Sequence, residues 1–499
     1  MCPENPAFHP WLPSPAPRRW GSLKRLPLPT RAGGLAALAA FALTACAVGP
    51  DYERPQAPSG VQAAGFKESA GWKVAAPAQV DASQAWWQAY GDETLNRLVA
   101  QANEANQTLA QAAAQYRQAT ALVGAAAAAG QPTLGVSSTT SRVRSNTGGA
   151  LYEGYTHSAL LQSAWEPDVW GKVGRSTEAA RANAEASGAD LAAARLSVQA
   201  LVVNDYLQLR LADAALATYQ ATLQAYEKAL QLTQSQHRSG VATQADVALA
   251  ESTLQAARAQ ATDVQLSRRQ LEHALAVLLG KTPAEFSIPA SPEAQCALPG
   301  LPGIPAVLPS ALLERRPDIA GAERRVAAAN ANIGVAAAAW YPALNLTGSA
   351  GSSGSGVGNW LAAPYRIWAV GAQVAATLYD GGLRSAQDKQ ARAAFDAAAA
   401  AYRQTVLAGF QEVEDNLAAL DQLARERVQQ EAALAAARTA ERIVTRQYEA
   451  GTAPYASVIT AQALALNSER AALQLQGRQL TASVTLIKAL GGGWTAHHD

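Results

Sequence analysis

The chain makes the same helix-to-strand crossing twice, and few folds accommodate that. "VGAAAAAGQPTL" (123–134) and "IGVAAAAWYPAL" (333–344) each run an alanine-rich helical stretch into a proline, and alternation of apolar and small polar residues follows. Their offset is 210 residues. "HRSGVATQADVALAES" (237–252) then pairs with "YEAGTAPYASVITAQA" (448–463), and "AVLLGK" (276–281) with "IKALGG" (487–492), both at 211. Weak identity in constant order marks a tandem duplication. Each copy reads as helix, strand, glycine-rich loop, strand, long helix, tight turn and returning helix.

Repeat one spans 92–280, with strands at 132–140 and 155–166, a long helix at 171–238 and a return helix at 243–280. Repeat two spans 317–490, with strands at 342–350 and 366–378, a long helix at 382–450 and a return helix at 454–490. In "ALNLTGS" Leu344, Leu346 and Gly348 share one face, and Asn345, Thr347 and Ser349 the other. In "RIWAVGAQVAATL" Trp368, Val370, Ala372, Val374, Ala376 and Leu378 share a face. Such segments have the length of outer-membrane barrel strands, apolar toward lipid and small or polar toward a lumen. A half-buried sheet of a soluble protein carries the same pattern. In lipid, however, four strands cannot close, and an open sheet leaves unsatisfied backbone edges. Two chains would give eight strands and a filled lumen; three would give twelve and a pore, the favoured arrangement.

The helices are as constraining. No proline occurs from Gly171 to Arg238 or from Gly382 to Ala453, so each long helix is a rod of about 100 Å. The return helices are shorter, and a further helix, 92–129 or 317–340, extends each one back toward the strands, so that two short helices match one long one. Leu254, Ala257, Ala261, Val264, Leu271, Leu275 and Leu278 follow 3-4 spacing, interrupted by Arg268. Ile459, Leu466, Leu473, Leu480 and Ile487 repeat every seventh residue. Both patterns predict side-by-side packing. A free-standing coiled coil also fits them but leaves the strands unexplained.

Alanine supplies much of the apolar content, whereas Phe (6) and Met (1) are scarce, as expected of long helices packed along small-residue seams. Lys+Arg 40 against Asp+Glu 39 and the lack of any basic run give no nucleic-acid surface. Three cysteines are too few for a disulfide framework. One of them, Cys46, ends "GGLAALAAFALTAC", an apolar run of signal-peptide length after Arg25 and Arg31. "LTAC" resembles the bacterial lipobox, which makes 1–45 a signal peptide and Cys46 the lipid-bearing first residue of the mature chain. Ala47, in place of an aspartate, points to the outer membrane.

"CAVGPDYERP" (46–55), "WWQAYGDETLNRL" (86–98), "ERRPDIAGAERRVAAANANIGVAAAAWYPAL" (314–344) and "KALGGGW" (488–494) resemble the outer-membrane efflux factor family, in its lipoprotein branch. The resemblance covers essentially the whole mature chain. It implies a mainly α protomer contributing four strands to a shared trimeric 12-stranded β-barrel, above a long periplasmic α-helical barrel. The implied partners are two further copies of the chain, a periplasmic adaptor protein, an inner-membrane pump and outer-membrane lipid. The turns around Gly240, Val241 and Thr243, and around Gly451 and Thr452, become the periplasmic tip that meets the adaptor, with Thr243 and Thr452 as helix caps. Asp246 matches an aspartate of the family's tip motif. Where relatives carry constriction aspartates, copy two has Ser457 and Thr460, so Asp246 is the better gate candidate of the three. Residues 46–91 and 281–316 are expected to form a belt around the helices, with Cys296 incidental and 491–499 a tail.

No catalytic constellation is legible. The histidines are scattered, "CxxC" is absent, and the glycines at 351–358 lack both a Walker lysine and the GxGxxG spacing. The expected function is a passive exit duct for small molecules such as drugs, with no cofactor beyond lipid on Cys46. A duct for protein secretion and a non-conducting envelope scaffold are the alternatives. The lack of methionine beyond Met1 disfavours a thioether-lined copper route.

Overall fold

The computed structural model describes residues 48–56, 66–67, 85–147, 150–290, 300–302, 315–355 and 362–492. The signal segment, Cys46 and Cys296 lie outside them. From Ala47 onward the chain is one compact unit. Its elements are α1 (Glu93–Ala105), α2 (Gln107–Ala128), β1 (Thr133–Thr147), β2 (Ala150–Trp165), α3 (Lys172–Arg238) and α4 (Gln244–Leu278). The second copy follows as α5 (Pro317–Ala338), β3 (Ala343–Gly354), β4 (Arg366–Ala375), α6 (Leu383–Glu449) and α7 (Tyr455–Ala489).

The helices stand as four columns. The long α3 packs along α2 and α4 on one side and along α5 and α7 on the other; α6 packs along α5 and α7. The outer column is α4 continued by α2, and the third is α7 continued by α5. Matching contacts make both junctions. Asn106 donates from Nδ2 to the Leu278 carbonyl at 2.8 Å, and Arg316 donates from Nη1 to the Ala489 carbonyl at 3.1 Å. Both acceptors are helix-end carbonyls that lack an intrahelical partner. Gly280 (φ +67°) and Gly491 (φ +91°) let the ends abut, since an added Cβ would lie 2.4 Å from the Ala105 oxygen and 2.1 Å from the Arg315 oxygen.

Three expectations need correction. The helix read over 92–129 is broken at Asn106, whose side chain accepts from the Leu109 N–H at 3.1 Å and so starts a new helix where α4 ends. The first three strands are longer than 132–140, 155–166 and 342–350, because the ladder continues to Thr147, Ala150 and Gly354. The fourth strand stops at Ala375, not 378, since its neighbour β3 begins at Ala343 and offers no backbone further on. Leu378 is consequently outside the sheet and 95% exposed.

Pro317 opens α5 at its first turn, where a missing N–H costs nothing, and Pro342 closes it by excluding helix from the residue before it. The crossing is then pinned by aromatics. Trp170 donates to the Pro342 carbonyl at 2.7 Å and stacks on Tyr341 with ring centroids 4.8 Å apart. Trp165 donates to the Gly130 carbonyl at 2.9 Å in the first copy.

Buried side chains concentrate around the middle of the columns. Trp86, Tyr90, Leu95, Val99, Val202, Val203, Tyr206, Leu209, Leu275, Ile288 and Leu480 form the largest cluster. Phe66 enters a second one on α6 and α7. The break in the 3-4 pattern of α4 is an ion pair: Arg268 donates to Asp213 of α3 at 2.5 Å and to the Ile288 carbonyl at 2.6 Å. Residues 48–54 lie higher, along α3 and α5. Val48 donates to the Trp170 carbonyl at 3.2 Å, Asn330 to the Pro50 carbonyl at 3.1 Å and Arg175 to Asp51 at 3.0 Å, while Tyr52 donates to Glu323.

Gly280 and Gly240 both adopt positive φ, but an added Cβ at Gly240 meets nothing within 4 Å. Gly240→Ala is therefore expected to cost about 1–2 kcal/mol of left-handed strain. Gly280→Ala should cost that plus the clash with Ala105. Thermal unfolding of the two variants side by side checks this; equal midpoints would mean that the abutting helix ends do not matter.

Candidate functional site: an open membrane sheet and a latched helix tip

The sheet is antiparallel in the order β1-β2-β3-β4, so β1 and β4 are its edges, with no strand beyond either among the described residues. Register assigns the two faces. One carries Leu134, Val136, Leu161, Leu344, Leu346, Trp368, Val370 and Val374. The other carries Ser137, Thr139, Ser141, Thr156, Ser158, Gln162, Asn345, Thr347, Ser349 and Gln373. On the apolar face Val136 is 83%, Trp368 79% and Val370 80% exposed. Side chains this apolar, this exposed and on one face require a non-aqueous neighbour. No described helix is long and apolar enough to cross a membrane.

The opposite end is two helical turns. At the first, Gly240 (φ +75°) ends α3, with the Val241 N–H on the Gln236 carbonyl at 2.9 Å and the Gly240 N–H on the His237 carbonyl at 2.9 Å. This glycine-ended stop leaves Val241 77% exposed. Thr243 then caps α4: its hydroxyl accepts from the Asp246 N–H at 3.2 Å, and the Asp246 carboxylate accepts from the Thr243 N–H at 2.9 Å. The Thr243 hydroxyl also donates to Asp246 at 2.7 Å, and these bonds hold the carboxyl below its usual pKa. The gate candidate Asp246 is thus also the reciprocal half of a capping box.

At the second turn Gly451 (φ +76°) plays the part of Gly240. Thr452 does not cap α7 as expected; Pro454 stands at that position. Thr452 instead ties off α6, giving both its N–H and its hydroxyl to the Gln447 carbonyl at 2.9 Å each. At the offset of 211 Pro454 takes the place of Thr243, and its side chain cannot accept from the next turn, while Thr452 aligns with Val241. Ser457 lies in the first turn of α7, and exposed Thr460 bonds back to the Ala456 carbonyl at 2.9 Å.

Sequence reasoning missed what joins the two turns. Tyr448 on α6 donates its hydroxyl to Gln236 of α3 and lies 3.2 Å from the Thr233 hydroxyl, which is fully buried. Its ring packs on Tyr455 at 5.3 Å, inside a small cluster with Ala250 and Val458. Burial pushes the Tyr455 phenol up to about 12. The signal was available in the aligned repeats: copy one has His237 where copy two has Tyr448, and Gln244 where copy two has Tyr455. Higher up, Tyr219 of α3 and Arg470 of α7 both donate to Gln260 of α4, at 3.0 and 3.2 Å. Among the described residues no cluster of His, Cys, Asp or Glu could hold a metal ion.

Membrane strands set on parallel helix columns define a channel-forming outer-membrane protein. The family described as Outer membrane efflux protein matches residues 98–281 and 308–492, one segment per repeat, and the chain belongs to it. Toluene efflux pump outer membrane protein TtgC of Pseudomonas putida is 32% identical over 471 residues, 92% of this chain and 95% of that protein. Outer membrane protein OprJ of Pseudomonas aeruginosa is 34% identical over 476 residues, covering 93% and 96%. Among solved structures, the outer-membrane channel OprN superimposes with a TM-score of 0.80 at 29% identity, over 90% of this chain and 100% of that one. The open state of the MtrE channel of Neisseria gonorrhoeae gives 0.78 at 29%, over 90% and 98%. The chain is accordingly an outer-membrane channel of the efflux type, and not an enzyme.

Two outcomes follow for the tip. Tyr448→Phe leaves Gln236 and buried Thr233 short of a partner, at a cost of about 1–3 kcal/mol. Amide exchange should quicken at the α6–α7 turn while the middle of the columns is unchanged; uniform exchange would remove the latch. For Asp246 the folded pKa is depressed, so its capping contribution is complete above about pH 4, the ordinary carboxylate value. It is lost as pH falls through the lower folded value. Exchange protection in the first turn of α4 should follow that curve, and Asp246→Asn should flatten it.

Proposed function

We propose that three copies of the chain form one passive, lipid-anchored exit duct for small organic molecules, coupled to an inner-membrane pump of the RND type through a periplasmic adaptor. The observation that carries this reading is the open sheet with one apolar and one polar face. Its edges, β1 and β4, need strand partners in lipid, because each unpaired backbone group there costs several kcal/mol. Pairing β4 of one copy with β1 of the next closes twelve strands around a lumen lined by serine, threonine, asparagine and glutamine. The outer helix columns, α4 with α2 and α6, then close in the same order below.

Lipid on Cys46 would anchor the mature N-terminus. The clamp at Val48–Arg54, ending at Trp170 beside the helix-to-strand crossing, supports that reading because the chain is fixed within a few residues of Cys46 in sequence. The adaptor would meet Gly240, Val241, Thr243, Gly451 and Thr452, the exposed turns farthest along the columns from the sheet. Asp246, Ser457 and Thr460 lie within two turns of that end, where three copies would converge as the duct narrows. TtgC is named for toluene efflux, and its likeness over nearly the whole chain supports a small organic substrate.

Native mass of the mature protein in detergent, corrected for bound detergent, tests the assembly. Three chains are expected; a stable monomer would remove the shared barrel and the duct with it. Cys46→Ala should abolish acyl labelling while leaving the trimer, and continued labelling would move the anchor elsewhere.

A further inference from the structure

The polar extension of β1 and β2 beyond the lipid-facing band is not accounted for by transport. We propose that its outward face, centred on Arg142 and Arg144, binds the phosphorylated headgroup of an outer-leaflet glycolipid. This rests on the reading above that the helices are periplasmic and the far end of the sheet is extracellular.

The register fixes the face. Residues 134, 136, 138, 140, 142 and 144 alternate onto one side of β1, opposite Ser163, Leu161, Ala159, His157, Tyr155 and Glu153 of β2. The lower part of this side is the exposed apolar surface of Leu134, Val136, Leu161, Trp368 and Val370. Its upper part is Arg142, Tyr155, Arg144 and Glu153; Arg366, at the start of β4, is on the same side but lower, level with Ala159 and Ser138. On the lumenal side at that level stand Thr139, Ser141, Val143, Gly154 and Thr156, all uncharged. Charge is therefore placed toward the membrane surroundings and kept out of the lumen.

The height is right for headgroups. Trp165 and Tyr155 lie on the same side of β2, ten residues apart, which is about 33 Å along a strand and about 25 Å along the axis at the usual tilt. That is the height of the apolar band of a membrane barrel, and aromatic girdles mark its two edges. Trp165 sits at the helix end, held to Gly130, and Tyr155 at the other. A lipid with its chains against Val136, Leu161 and Trp368 thus places its headgroup at Arg142 and Arg144.

The charges favour phosphate. Arg142 pairs with Glu153 and lies over the Tyr155 ring, 5.4 Å from its centroid. Tyr155 stacks on His157 at 6.3 Å, and His157 meets the Thr140 hydroxyl at 3.0 Å, which holds the group in place. Arg144 faces Glu153 across the ladder, but that carboxylate is engaged by Arg142. Arg142 keeps 61% of its side chain exposed, leaving guanidinium donors for further oxygens. Two arginines thus share one glutamate on a surface continuous with the acyl-facing band. An anionic headgroup complements that excess, and guanidinium matches phosphate through paired donors.

The test uses the whole mature channel, extracted in mild detergent or placed in nanodiscs carrying either a phosphorylated glycolipid or its dephosphorylated form. Native mass spectrometry counts lipid per trimer. Arg142→Glu with Arg144→Glu is expected to cut retention of the phosphorylated form about fivefold per arginine, the factor that about 1 kcal/mol per basic residue at an anionic lipid surface corresponds to. Retention of the dephosphorylated form should not change, and Arg142→Lys with Arg144→Lys should fall between wild type and the charge-reversed pair, because lysine keeps the charge but not the paired donors. If the charge-reversed pair fails to assemble, Arg144→Gln alone is read in the same way. Equal retention of both lipids by wild type and variants, with the trimer intact, overturns this proposal and leaves the duct standing. A monomeric wild type would instead overturn the duct.

Discussion

Everything in this chain is arranged around backbone polar groups that cannot be left bare in lipid. A β-strand at a sheet edge offers a row of N–H and C=O groups, and water satisfies them only where water is present. Here β1 and β4 end a sheet whose outward face is Val136, Trp368 and Val370, so solvent does not reach the edges once that face is covered. A sheet of this kind is complete only as part of a closed one. The duplication supplies the means: the chain brings two hairpins side by side, β2 against β3, and leaves matching edges at each end for its neighbours.

The helices answer the same demand by a different route, since each satisfies its own backbone except at its ends. Long α3 and α6 have few ends, and α4 with α2, like α7 with α5, hide two of theirs by stacking. Copy one closes its junction with an asparagine and copy two with an arginine, yet both reach the terminal carbonyl of the returning helix. Both copies also use a glycine, Gly280 or Gly491, where a side chain would collide with the next helix. What duplication preserved is the geometric requirement, while the donor changed.

That explains which parts of the molecule were legible in the sequence. Alternation in "ALNLTGS", the proline at 342 and the proline-free runs report on one element at a time, and the sheet faces and columns follow from them. The break at Asn106 was not legible, because its reason is the Leu278 carbonyl, far away in the chain. Arg268 looked like a fault in the 3-4 pattern because its partner Asp213 is on another helix. Thr452 looked like Thr243, but in register it aligns with Val241, and the capping position itself is Pro454. The tip latch was hidden for the same reason, with Tyr448 and Gln236 brought together only by α6 lying near α3.

The distribution of contacts along the columns also bears on where such a duct can move. At the middle, Trp86, Tyr90, Tyr206, Leu275 and Leu480 are part of one large buried cluster, reinforced by Arg268 with Asp213 and by Tyr206 donating to Asp92 at 2.6 Å. Close packing of that size has no low-energy alternative arrangement. At the tip the apolar cluster joining the hairpins shrinks to Ala250, Tyr448, Tyr455 and Val458, and its hydrogen bonds across them come from the Tyr448 hydroxyl. A net hydrogen bond contributes about 1 kcal/mol, which a docking partner can readily outweigh. The columns are therefore stiff around that cluster and more weakly held where the turns are exposed, so a partner docking at the turns, as proposed above, would need to break little in order to separate α6 and α7 from α3 and α4.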